Sequence, residues 1–389
     1  MGEWRASTDT VSGVGARSQG GPTDLGPARV AELDAGGMLA AVAGLGAQVA
    51  EGFAAARARL AQARWAEPAG DRAAPALPAR PNGVAVLGMG GSAIGADLVL
   101  AAAPHLPVPA TVVRGYEVPA WVGPDTLVVA VSYSGATEET LAATRAALER
   151  GCAPLCVASG GALAALACER RLPLVAPPSG LQPRAALGYL AMPLLAALER
   201  AGLVAAADGD VAETAALLRE VARECAPAVA DEFNLAKGVA RRVHGRVALV
   251  YGAGLTVPAA RRWKTQFNEN AKTPAFFGEL PELDHNEVEG WAHGPRLATL
   301  THVVVLEDLH AGERLRRRVA LTATALGAMG VAVERLETRG LSPLARALSL
   351  VALGDHVSCY LALLEGADPT PVETIARLKC DLAQHADGG

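Results

Sequence analysis

Residues 84–93 read Val-Ala-Val-Leu-Gly-Met-Gly-Gly-Ser-Ala, and the order of residue types in this stretch decides the fold. The apolar run VAVL has the length and branching of a strand buried on both faces. Gly88, Gly90 and Gly91 then make a tight turn, and Ser92 opens a stretch that reads as helix. A strand that passes through a glycine turn directly into a helix is the first step of a parallel α/β unit. The helix start leaves backbone N–H groups without internal partners and carries the positive end of the macrodipole, so such a turn can receive an anion. The spacing is not GxGxxG with an acidic residue at the end of the next strand, and no Gly-Lys-Ser/Thr follows. Dinucleotide and Walker-type nucleotide sites are therefore disfavoured.

Outward from this stretch the pattern repeats. ATVVRG (110–115), TLVVAVS (126–132), PLCVAS (154–159) and LPLVAP (172–177) are further short apolar runs, with a helical stretch over 137–150. Residues 30–64 read as an Ala-rich helix, and a Pro-rich connector over 67–81 precedes the first strand. From 183 to about 243 the chain reads as helix with a break near Asp208 and Gly209. A second strand–helix series follows: RVALVYG (246–252), a helix around Trp263, HVVVLED (302–308), a helix over 311–329, VAVERLE (331–337) and a long helix over 342–365. VALVYGAGLT in this half echoes VAVLGMGGSA in the first, which predicts two related α/β units. The expected division is a disordered leader at 1–27, a first unit at 28–205, a helical linker at 206–242 and a second unit at 243–389.

Composition narrows the function. A chain of 389 residues can hold two domains of ordinary size. No run approaches the ~18 uninterrupted apolar residues of a membrane span, and the polar start lacks the apolar core of a secretory signal, so neither a membrane partner nor export is expected. A formal charge of -5, with Arg and Asp/Glu interspersed, offers no basic stripe for nucleic acid. The six cysteines lack CxxC pairing, which predicts reduced, buried thiols and no metal site.

Ser132-Tyr133-Ser134-Gly135-Ala136-Thr137 lies between the strand TLVVAV and a helix. The hydroxyls of Ser132, Ser134 and Thr137, with Gly91 and Ser92 of the first turn, are candidates for holding a phosphate through neutral donors. A helix cap would use one such hydroxyl, not three.

GMGGSAIGADL and SYSGATEETL resemble the first sugar-isomerase (SIS) domain of the bifunctional phosphoglucose/phosphomannose isomerase family. PRAALGY (183–189), NENAKTPAFFGELPELDHNE (268–287) and DPTPVETIARLK (368–379) resemble the same family in the same order. The resemblance implies two SIS-type, flavodoxin-like parallel sheets flanked by helices, and cofactor-free interconversion of glucose 6-phosphate, and mannose 6-phosphate, with fructose 6-phosphate in the cytoplasm. It implies Glu269 as the catalytic base, His285 and Lys379 in ring opening, Arg184 beside the developing oxyanion, and a homodimer in which His285 reaches the neighbouring site.

The residue types suit that chemistry. Moving a proton between C1 and C2 asks for one carboxylate screened from bulk water, and the cis-enediolate asks for a fixed cation that keeps its own proton. The same phosphate cradle would also serve a non-catalytic SIS module that senses a sugar phosphate, or an isomerase of another phosphosugar.

Overall fold

Val, Leu and Ala fill β3 (Gly83–Gly88), β5 (Thr126–Val131) and β10 (Thr301–Glu307), and every residue of these three strands is buried. Strands with no solvated face require covering layers on both sides, which is the physical basis of everything around them. The computed structural model describes residues 24–67 and 75–386. Of the expected leader, 1–23 lie outside the described residues, whereas Leu25 is fully buried and a helix begins at Pro27.

The chain opens with α1 (Pro27–Leu33), α2 (Met38–Ala43) and α3 (Leu45–Ala61), followed by a short parallel pair, β1 (Trp65–Ala66) and β2 (Leu77–Pro78). The first sheet then winds through β3, α4 (Gly90–Ala102), β4 (Ala110–Val113), β5, α5 (Glu138–Glu149), β6 (Leu155–Val157), α6 (Gly161–Glu169) and β7 (Leu174–Val175). Its strand order is β4-β3-β5-β6-β7, all parallel. This is the flavodoxin-like winding, in which the chain reverses direction across the sheet between β3 and β5.

Next come α7 (Leu187–Arg200), α8 (Asp208–Glu224) and α9 (Leu235–Val243). Asp208 begins α8, so the break in the helical stretch falls just before it. The second sheet winds through β8 (Val247–Ala253), α10 (Val257–Glu269), β9 (Ala275–Leu280), α11 (Glu287–Trp291), α12 (Pro295–Leu300), β10, α13 (Glu313–Ala328) and β11 (Ala332–Glu337). The order β9-β8-β10-β11, again all parallel, repeats the first winding. The chain closes with α14 (Pro343–Leu364) and α15 (Glu373–Ala386).

Between the sheets lies a shared helical layer. One continuous apolar cluster joins Val84 and Val129 of the first sheet, Val250 and Val304 of the second, and residues of α3, α7, α8, α9, α10 and α14. Segment 206–242, expected as a linker, contributes Val211, Ala215, Leu218 and Val221 to that cluster. Two smaller clusters fill the outer faces, one under α5 and α6 and one under α13. Among the described residues α14 alone is long and apolar enough to cross a membrane, and 94% of its apolar window is buried inside the protein. Of the cysteines, Cys152, Cys156, Cys225 and Cys359 are buried free thiols, while Cys168 and Cys380 are exposed.

α10 crosses α14 at Trp263, which is fully buried and donates its indole N–H to Leu350 O at 2.7 Å. Trp263 also meets Phe267 edge to face at 5.8 Å between ring centres. A Cβ at Gly354 would overlap the Trp263 indole. The glycine therefore stands mid-helix, at about 1 kcal/mol against Ala, because the ring occupies the space. Gly354→Ala is expected to lower unfolding free energy by about 1–3 kcal/mol despite its better helix propensity. Urea denaturation measures this, and unchanged or increased stability would show that the indole can withdraw.

Candidate active site

The glycine turn and the serine turn sit at the carboxyl ends of adjacent strands, since Gly88 of β3 pairs with Val131 of β5. That is the crevice at which open parallel sheets take ligands. Gly90 adopts φ +49 at the start of α4, and no side chain caps that helix. Ser92 is buried, at 6% exposure. A Cβ on Gly91 would come within 3.2 Å of the Arg184 Cα, so a side chain there would press on the backbone of the Arg184 segment.

In the serine turn, the Ser132 and Thr137 hydroxyls lie 2.8 Å apart. Thr137 is the N-cap residue of α5, yet its side chain makes no capping bond. The hydroxyl is turned toward Ser132, so a capping role does not account for it. Ser134 is exposed, and its hydroxyl accepts from Ala136 N at 3.3 Å. Gly135, at φ +66, is pressed against the Gly160 carbonyl where no Cβ would fit. Tyr133 ties this turn to the Arg184 segment: its hydroxyl donates to Pro178 O at 2.7 Å and accepts from Leu181 N at 2.9 Å.

Arg184 lies in a 3-10 turn, Pro183–Ala185, rather than at the start of a long helix. Its guanidinium is almost wholly buried. Nε donates to Asn270 Oδ1 at 2.6 Å, and Nη2 donates to Pro369 O at 2.8 Å and Thr370 O at 2.7 Å. Nη1 stands 3.7 Å from the Glu269 carboxylate, whose side chain is 27% exposed against 4% for Arg184. Burial lowers the Arg184 pKa from its ordinary value, and Glu269 acts in the opposite direction. A guanidinium stays charged under such pressure, so a fixed cation faces a partly accessible carboxylate.

The support for this pair comes from behind. Arg262, Gln266 and Asn270 recur every four residues on the buried face of α10. Arg262 makes a two-pronged ion pair with Asp355 of α14, Nε to Oδ1 at 2.9 Å and Nη2 to Oδ2 at 2.7 Å, and also donates to Arg184 O at 2.7 Å. Gln266 donates to Asp355 Oδ1 at 2.9 Å, and Asn270 donates to Ser358 Oγ at 2.9 Å.

Lys272, which sequence reasoning missed, completes the turn after α10. It holds φ +58, and its ammonium donates to Glu269 O at 2.6 Å and Pro369 O at 3.2 Å. It thus caps the carboxyl end of α10 with a cation and clips the 368–371 loop beside it. Partial burial and then Arg184 lower its pKa from the usual lysine value. The Lys-Thr-Pro that ends the run Asn268–Pro274 was the available signal for a tight turn here.

His285 stands apart from Glu269. The ~20 Å length of α10 returns the chain from the carboxyl end of β8 to the opposite edge of the sheet, leaving Glu269 there. β9, anchored by Ala275 N to Asn268 Oδ1 at 2.9 Å, then runs parallel to β8 and carries the chain back by roughly 17–20 Å. His285 is exposed beyond its end, on the far edge from Glu269 of its own chain. Lys379 is exposed on α15, which follows directly on the loop holding Pro369 and Thr370.

A flavodoxin-like parallel sheet with small-residue turns at adjacent strand ends is the fold of the SIS class of phosphosugar isomerases. Residues 232–382 match the family model described as the bacterial phospho-glucose isomerase C-terminal SIS domain. The bifunctional phosphoglucose/phosphomannose isomerase of Caldicellulosiruptor bescii is 39% identical over 306 residues, 78% of this chain and 90% of that one. Its counterpart in Aquifex aeolicus is 39% identical over 307 residues, 78% of this chain and 92% of that one. A hypothetical protein of Thermus thermophilus superposes with a TM-score of 0.72 at 19% identity, over 93% of both chains. The chain belongs to the bifunctional phosphoglucose/phosphomannose isomerase family.

Asp355→Ala would strand the Arg262 charge in the core, a change that costs about 3–5 kcal/mol. Thermal and urea unfolding should reveal that loss. A variant as stable as wild type would show that Arg262 finds another partner and that the scaffold behind Arg184 is not built on Asp355.

Proposed function

We propose that this chain is an aldose–ketose isomerase that interconverts glucose 6-phosphate, and mannose 6-phosphate, with fructose 6-phosphate through a cis-enediolate, in a cytoplasmic setting and without a metal. The observation that carries the reading is the 3.7 Å approach of a buried, fixed guanidinium to a partly accessible carboxylate in a chain of this family. The first sheet with its leading helices is the phosphate-holding unit, residues 28–205, and 243–389 is the unit that supplies the base.

In this reading Gly91, Ser92, Ser132, Ser134 and Thr137 hold the phosphate with hydroxyl and backbone donors, which leave the product free to depart. Glu269 takes the proton from one carbon and returns it to the neighbour. Arg184 faces the oxygen on which charge develops, and since both its Nη2 bonds run to backbone carbonyls it meets the enediolate without reorganising. Ring opening moves a proton to the ring oxygen and another from the C1 hydroxyl, roles assigned to His285 and Lys379.

His285 lies on the wrong edge of its own sheet for that task, so we assign it to the neighbouring site of a homodimer. Two exposed apolar features favour association. Ile375, Leu378 and Leu382, at 41%, 60% and 58% exposure, form a helical stripe on α15, and Phe276 on the edge strand β9 is 57% exposed. Stripes of this kind on an otherwise polar helix are what a second subunit covers.

Coupled assays of fructose 6-phosphate conversion test the activity. Glu269→Gln should remain folded, bind substrate and lose at least ~10²–10⁴ in turnover. Turnover near the wild-type rate would assign the base elsewhere.

The shared site has its own test. Mixed and re-associated, Glu269→Gln and His285→Ala chains should form heterodimers with one doubly defective site and one intact site, so activity should partly return. If mass measurement confirms exchange and activity stays at the level of the separate variants, His285 acts within its own chain.

A further inference from the structure

α4 and α10 run antiparallel against each other, and the site described above occupies one end of that pair. At the other end they enclose a cleft of about 360 Å³ between the two halves of the chain. Arg261 of α10 stands eight residues before Glu269, which sets the cleft ~12 Å from the base along the helix. Asp97 and Leu100 of α4, Arg114 after β4, and Gly254, Val257, Pro258 and Arg261 of the second half line it.

The charge arrangement is unbalanced. Asp97 pairs with Arg114, and Arg261 Nη1 approaches the same carboxylate at 3.5 Å. Two guanidiniums thus share one carboxylate across the junction, leaving one net positive charge in a cleft with an apolar wall. Arg261 is further held with its guanidinium carbon 5.0 Å from the Phe277 ring centre. Both arginines are about one-third exposed, so their remaining donors can meet a ligand from solvent. Gly254, on the cleft wall, has φ +56 and stands where Gly90, at φ +49, stands in the repeated turn of the first half.

We propose that this cleft is a second anion site, taking the phosphate of a small phosphate ester between Arg114 and Arg261, with its carbon portion against Leu100, Val257 and Pro258. Bidentate guanidinium donors suit phosphate, and the volume admits a hexose phosphate. An occupant would bridge the half that carries the phosphate cradle to the half that carries Glu269, bracing α4 against α10. The cleft lies apart from the proposed catalytic groups, and only the choice of a hexose phosphate as ligand rests on the function proposed above.

Calorimetric titration of fructose 6-phosphate into the Glu269→Gln protein, which cannot turn the ligand over, tests it. Two binding events per chain are expected. Arg114→Met with Arg261→Met should weaken one of them at least tenfold, and Ser132→Ala with Thr137→Ala should weaken the other. The arginine substitutions in the wild-type background should leave isomerisation at saturating substrate within twofold, which verifies a folded catalytic site. A single event, abolished by the Ser132 and Thr137 changes and untouched by the arginine changes, would reduce the cleft to a structural salt bridge and overturn the proposal. A single event abolished only by the arginine changes would uphold the cleft and refute the cradle. Inorganic phosphate binding the cleft as tightly as the ester would overturn the role given to the apolar wall.

Discussion

The ion pair between Arg262 and Asp355 is the constraint on which the rest of the structure depends. Both side chains are almost wholly buried, at 2% and 3% exposure, in a layer made mostly of apolar residues. Two charges withdrawn from water in this way return little net stability compared with apolar residues of the same shape. What they impose is geometry. Asp355 accepts from Arg262 and Gln266 of α10, and Arg262 passes the constraint on to the Arg184 carbonyl. Helices α10 and α14 and the 3-10 turn at Pro183–Ala185 can therefore meet in only one register. In that register the Arg184 guanidinium has its Nε and Nη2 engaged and its Nη1 directed at Glu269.

The same arrangement connects the halves of the molecule to the chemistry. The first half holds two small-residue turns at adjacent strand ends, and Gly91 brings one of them against Arg184. The second half supplies Glu269 from the end of α10, and the chain beyond α14 returns to supply the Pro369 and Thr370 carbonyls that hold Arg184. An isomerase of this kind needs little movement of its catalytic groups, because proton transfer between neighbouring carbons asks for a fixed base and a fixed cation. The packed layer between the sheets provides that fixity.

How much of this was legible in the sequence depended on the distance over which each signal acts. The strand–turn–helix at 84–93 is local, and its strand, positive-φ glycine and helix appear where the residue types put them. The winding of both sheets followed from alternation of short apolar runs and helices. β9 was missed because its buried positions, Ala275, Gly278 and Leu280, do not follow a period of two, so the stretch has no clean strand pattern. α15 was missed because its apolar stripe of Ile375, Leu378 and Leu382 faces solvent. Residues 206–242 were legible as helix, and the packing of one side of α8 into the shared core is a long-range contact that no local pattern announces. The network behind Arg184 joins residues 78 to 93 positions apart, and no local pattern can announce such contacts. Glu269 and Arg184 were legible only through the motifs around them. Lys272 lay within one of those motifs and was overlooked because its role is to hold backbone carbonyls, which side-chain chemistry alone does not suggest.

In the proposed function a single carboxylate in this scaffold shuttles a proton between adjacent carbons of a sugar phosphate. The most direct measurement is the fate of hydrogen when the protein converts fructose 6-phosphate in deuterated water, followed by NMR at C2 of the aldose product. In the reading proposed for Glu269, whose side chain is 27% exposed, exchange with solvent competes with return of the abstracted proton, so part of the aldose should carry deuterium at C2. Conversion that proceeds with no deuterium at C2, the C1 hydrogen passing intact to its neighbour, would contradict the account.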